Sequence, residues 1–92
     1  MIAEWFYQTI EFMPPDNLEH SFGQVIRVHR EARRLSQEAF AELCGLHRTY
    51  ISQLEHGHKS PTLRVIARLA LALEVSADEL LKQALNEAMQ DV

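Results

Sequence analysis

The sequence predicts an all-α domain of five short helices, preceded by an aromatic segment and ending in a helix that can run on past the domain. Three observations carry this. Apolar residues recur at three- and four-residue spacings from residue 22 onward, the period of a helix with one buried face. Ser36, Thr62 and Ser76 each stand at the head of such a run, where a side-chain oxygen can accept from the free amides of the next turn. Gly45 and Gly57 close two runs, supplying the left-handed residue that ends a helix without steric cost.

The elements follow in order. In MIAEWFYQTIEFMPPDNLEH, aromatic and β-branched residues crowd positions 5–12 before Pro14 and Pro15 stop any regular element. Phe6, Ile10 and Met13 fit a helical stripe, whereas Phe6, Ile10 and Phe12 fit alternation if Gln8 is excused; residues 1–21 are read as a strand-like arm. Left exposed it would aggregate, so it is expected to pack on its own domain or on a partner. Helix 1 carries Phe22, Ile26 and His29 inward, with Arg27, Arg30, Arg33 and Arg34 around them, and runs to about Arg34. Helix 2 starts at the Ser36 cap with Glu38 in its first turn, buries Phe40, Ala41 and Cys44, and stops at Gly45. Helix 3 runs from about His47 to Glu55 or His56. After the HKSP loop, Thr62 caps helix 4, whose predicted buried stripe is Leu63, Ile66, Leu69, Ala70 and Leu73. SADE, residues 76–79, reads as a capping box in which Glu79 reaches back to the cap amide. Helix 5 then continues through Ala84, Leu85, Ala88 and Met89. Residues 22–81 thus form the domain, and 82–92 a helical extension.

Ninety-two residues make one small domain, which burial against a partner would help to stabilise. The net charge of -4 hides a segregation: residues 1–21 sum to -4, residues 22–73 to +4 and residues 74–92 to -4. A basic middle can present a positive surface locally, because charges more than ~8 Å apart are largely screened at physiological salt. The lone Cys44 cannot form an internal disulfide, and no Cys/His quartet suggests zinc. The longest apolar run, LALAL at 69–73, is far short of a membrane span and no leader is evident. A protein of the reducing cytoplasm, without membrane partner or cofactor, is expected. No nucleophile with a base, no carboxylate pair and no phosphate-binding glycine loop appears, so no catalytic residue and no enzyme activity are assigned. His56 and His58 in EHGH lack a third and fourth ligand, so no metal site is assigned.

GLHRTYISQLEHG, residues 45–57, is divided. Wound at ~100° per residue, Tyr50, Ile51 and Leu54 fall in one arc and Arg48, Thr49, Ser52 and Gln53 in another. The second arc holds a guanidinium fork, two hydroxyls and an amide, groups that can read the edges of base pairs. Two helices joined by a tight glycine turn, the second with a polar outer face, form a helix-turn-helix pattern.

Residues 35–81, LSQEAFAELCGLHRTYISQLEHGHKSPTLRVIARLALALEVSADELL, resemble the phage-repressor and Cro-like (lambda-repressor-like, XRE-type) helix-turn-helix family. GLHRTYIS is similar to the controller proteins of restriction-modification systems. The register is carried by Gln37, Ala41, Gly45, Ile51, Glu55, Gly57, Pro61, Ala70, Leu73 and Val75.

The resemblance implies a five-helix domain whose third helix enters the major groove of double-stranded DNA, usually as a homodimer on a pseudo-palindrome, in a transcriptional regulator located in the cytoplasm at the nucleoid. It implies base reading by Arg48, Thr49, Ser52 and Gln53, phosphate contacts from Gln37, His58, Lys59 and Ser60, and an internal ion pair between Arg30 and Glu55. His29 departs from the pattern, standing where a core aliphatic is usual, and Leu43, Val65 and Leu71 exceed what the core needs. Those apolar residues hint at extra contacts to the N-terminal arm or a second subunit, and the aromatic arm keeps an alternative open: an antitoxin or protein-interaction module, gripping a protein partner through the arm, with secondary DNA binding.

Overall fold

The computed structural model describes residues 16–90. The arm expected over residues 1–21 therefore falls mostly outside the described residues. Five helices follow: α1 (Leu18–Ala32), α2 (Gln37–Cys44), α3 (Arg48–Glu55), α4 (Leu63–Leu73) and α5 (Ala77–Gln90). Among the described residues there is no strand.

The ends of the helices have local causes. Ser36 Oγ accepts from the Ala39 amide at 3.0 Å, and Thr62 Oγ1 from the Val65 amide at 3.2 Å, each satisfying one otherwise free donor of a first turn. α2 ends at Gly45 with φ 69°, and the Leu46 amide returns to the Ala41 carbonyl. The same left-handed turn closes α1 and α4, but on Arg34 (φ 58°) and Glu74 (φ 56°), so glycine marks only some of the ends.

Four details differ from the sequence expectation. α1 begins at Leu18 rather than at residue 22, because Leu18 itself packs on the core. It stops at Ala32, two residues before Arg34, where the chain turns left-handed. Leu63 does not join the buried stripe of α4; it is 85% exposed, since the first residue of the helix overhangs the core before the stripe begins at Ile66. The Glu79 carboxylate accepts from Gln83 Nε2 at 2.9 Å, a neighbour one turn onward, instead of serving the expected capping box.

The core is continuous. Phe22, Val25 and Ile26 of α1 meet Phe40, Ala41 and Cys44 of α2, Ile51 and Leu54 of α3, Ile66, Leu69 and Leu73 of α4, and Leu80 and Ala84 of α5. α1 lies along α5, and both α1 and α2 pack on α3. Helix α5 is continuous through the segment assigned as an extension, with Ala84 and Ala88 fully buried. Val65, expected to be surplus, packs half-buried against the core. His29 is half-buried and donates from Nε2 to Gln83 Oε1 at 2.8 Å, so a histidine serves there as a polar tie between α1 and α5.

Candidate nucleic-acid interface

Helix α3 is fixed in roll, tilt and depth by three separate contacts. Ile51 and Leu54 are wholly buried, and two such side chains contribute ~3–6 kcal/mol together. That burial sets the roll. Gly23 of α1 lies against the last turn of α3: a Cβ there would sit 2.3 Å from the Leu54 carbonyl oxygen and 2.7 Å from that of Glu55. Only glycine permits so close an approach.

The third contact is an ion-pair hub. Arg30 Nε donates to Glu55 Oε2 at 2.7 Å and an Arg30 terminal nitrogen to Glu55 Oε1 at 3.0 Å, a bidentate pairing. The other terminal nitrogen donates to the Leu35 carbonyl at 2.7 Å, in the loop before α2. Gln37 Nε2 donates to Glu55 Oε1 at 3.1 Å. Helices α1, α2 and α3 thus share one carboxylate. Both partners are buried, Arg30 at 7% exposure and Glu55 at 3%, so each buried charge has its counter-charge and hydrogen bonds. The hydrogen bond to Glu55 raises the Arg30 pKa against the opposing effect of burial, and the guanidinium stays charged.

With its underside held, α3 turns its other residues outward. Arg48 and Thr49, in its first turn, are exposed; Ser52 and Gln53 are half-buried. Tyr50 packs on the core at the flank, and burial raises its phenol pKa. His58, Lys59 and Ser60 are exposed in the loop after α3. Gln37 stands at the first position of α2, half-buried through its bond to Glu55. The structure therefore brings Arg30, Glu55 and Gln37 together, while Arg48 and Thr49 are exposed on the outer side of α3.

Other polar features frame the surface. The Arg33 guanidinium bonds the Leu73 carbonyl at 3.0 Å and the Glu74 carboxylate, tying the end of α1 to the end of α4. Cys44 is buried under the turn between α2 and α3; desolvation pushes its thiol pKa up to about 11, opposed by the charge of Arg68. Leu43 and Leu71 are 62% and 80% exposed, and with Arg33, Arg68 and Glu74 they line an open groove of about 710 Å³ between the ends of α2 and α4. Among the described residues no three His, Cys, Asp or Glu side chains converge as a metal site, and no helix there is long and apolar enough to cross a membrane.

Two features escaped the sequence reading. Gly23 was signalled only as an isolated glycine in a helical pattern, a hint of close packing. The bond from Gln37 to Glu55 joins residues 18 apart and has no local signal.

Comparison with known proteins agrees with this fold. The helix-turn-helix family model HTH_3 matches residues 26–80. Control protein C.SmaI of Serratia marcescens is 38% identical over 65 residues, 71% of this chain and 77% of that protein. Among solved structures, the restriction-modification controller protein C.AhdI from Aeromonas hydrophila superposes with a TM-score of 0.65 at 43% identity, covering 66% of this chain and 92% of that one. The DNA-binding domain of the P22 C2 repressor gives a TM-score of 0.66 at 33% identity, over 70% of this chain and 84% of its own.

Proposed function

The chain belongs to the helix-turn-helix family HTH_3, and on that footing we propose that it is a sequence-specific, double-stranded DNA-binding regulator of transcription. The observation that carries this reading is the division of α3: Ile51, Leu54 and Glu55 are buried while Arg48 and Thr49 stand exposed on a helix held from beneath. A fixed helix with a polar outer face suits the major groove, where position decides which base edge each side chain meets.

In this reading Arg48 grips guanine O6 and N7 with both arms, and the Thr49 methyl meets a thymine methyl. Ser52 and Gln53 complete the base-reading face. Gln37, His58, Lys59 and Ser60 contact phosphates, fixing register without carrying sequence information. Two copies, each with one α3 in a half-site, bind a pseudo-palindromic operator about 34 Å from centre to centre. Binding itself is the mechanism, occluding or assisting polymerase in the cytoplasm at the nucleoid. Similarity to control proteins and to the P22 C2 repressor supports a regulator rather than an enzyme.

One observation favours a second reading, an antitoxin or protein-interaction module with secondary DNA binding. Leu43 and Leu71 expose apolar surface beside a groove that the proposed DNA contacts do not use. A protein partner gripped through the N-terminal arm belongs to this reading.

Selecting bound sites from random duplexes, with size measurement of the complex, tests the first. Enrichment of one pseudo-palindrome bound by two copies is the expected result. Equal retention of all duplexes, or of none, would overturn it.

A further inference from the structure

Three histidines meet around Gly57. A Cβ on that glycine, at φ +79°, would lie 2.7 Å from the Cα of His20, so the first turn of α1 touches the chain just past α3. The rings of His56 and His58 stack across the same glycine, with centroids 5.9 Å apart. All three histidines are exposed.

His56 has one further constraint. Its Nδ1 lies 2.7 Å from the carbonyl oxygen of Ser52. A carbonyl only accepts, so Nδ1 carries the hydrogen. In the neutral ring Nε2 then holds a lone pair, which cannot donate and which repels a phosphate oxygen. Proton uptake at Nε2 turns that atom into a charged donor.

We propose that His56 is a proton-gated phosphate contact: neutral, it presents a lone pair to the DNA backbone; protonated, it donates Nε2–H to a phosphate oxygen. The proposal rests on the DNA-binding reading above. Affinity for duplex DNA then rises as pH falls through the range in which histidine changes charge.

The surroundings favour that use. His56 stands at the C-terminal end of α3, the end of a helix that favours a cation. His20 of α1 comes close across Gly57, with Glu19 beside it in sequence; the His58 ring stacks on that of His56, and Glu55 and Lys59 flank the pair along the chain. Glu55 is committed to Arg30 and Gln37 and so does not capture the new charge. His58, whose ring stacks on that of His56, is the neighbour whose contribution has to be separated by its own variant.

The test uses the full chain and a duplex recovered by the selection above, with Kd measured at about pH 6 and about pH 8 over a series of salt concentrations. The wild type is expected to bind more tightly at the lower pH, by about 10-fold for each unit by which the phosphate raises the imidazole pKa. Its salt slope should steepen by about 0.9 for the one phosphate gained. His56→Gln, which has no group that changes charge in this range, should lose the pH-linked increment and bind alike at both pH values. His56→Lys should bind at both values as the wild type does at the lower. As a readout that needs no variant, the nuclear magnetic resonance titration midpoint of the His56 ring should move up when the duplex is added. A pH dependence that survives in His56→Gln, or vanishes only in His58→Gln, overturns the proposal, as does an unmoved midpoint. Where the selection recovers no duplex at all, the DNA-binding reading falls and this proposal falls with it.

Discussion

The two sides of α3 are held by opposite means. Its underside is over-determined: two fully buried aliphatic side chains, a glycine contact against backbone and a bidentate ion pair all fix the same helix. Its outer side has Arg48 and Thr49, exposed and without a side-chain hydrogen bond to another described residue. On the proposed DNA-binding reading, rigidity and recognition are separable here. Substitutions beneath the helix should cost stability, and substitutions on its outer face should cost discrimination alone.

The largest expected effect tests the underside. Glu55→Ala leaves the buried Arg30 charge with only the distant, exposed Glu31 carboxylate at 4.0 Å as counter-charge and is expected to cost ~3–5 kcal/mol, read as a lowered denaturant midpoint. The double variant Arg30→Met with Glu55→Leu removes both charges and should recover most of that loss. It also deprives Gln37 of its acceptor, so DNA affinity should remain below wild type even where stability returns. Recovery of both together would show that the hub does not position Gln37.

Gly23→Ala comes next. Its Cβ would meet backbone at 2.3 Å, and backbone cannot step aside as a flexible side chain does, so a loss of about 3 kcal/mol is expected from thermal unfolding. Cys44, under the turn that leads into α3, reports the same rigidity chemically. With its pKa raised to about 11, native protein at about pH 8 should be alkylated about 100-fold more slowly than an unperturbed thiol. The sign for stability follows: the folded state holds the proton to higher pH than the unfolded chain, so stability is full below the ordinary thiol range and declines as pH rises through about 11.

The smallest effect on stability belongs to the outer face. Arg48→Ala should leave the unfolding midpoint within ~0.5 kcal/mol of wild type, while reducing discrimination at one base position by ~1–3 kcal/mol. Measured on the selected operator and its single-base variants, an unchanged preference would remove Arg48 from the reading face. A large loss of stability would break the separation between the two sides.

Much of this was legible along the chain. Ser36, Thr62 and Gly45 determine helix ends through bonds to their own neighbours, and the spacing of Ile51 and Leu54 determines which side of α3 is buried. These are properties of a few adjacent residues, so periodicity and capping chemistry state them. The start of α1 at Leu18 and the exposure of Leu63 were not legible, because whether an apolar residue at a helix end is covered depends on what lies across from it. The depth of α3 was decided in the tertiary structure by Gly23, whose missing side chain matters only once two backbones meet. So was the sharing of one Glu55 carboxylate by Arg30 and Gln37 from two other helices. The sequence alone determined five helices and a divided third one; only packing decided how firmly that helix is held, because burial and charge pairing join residues that local pattern cannot connect.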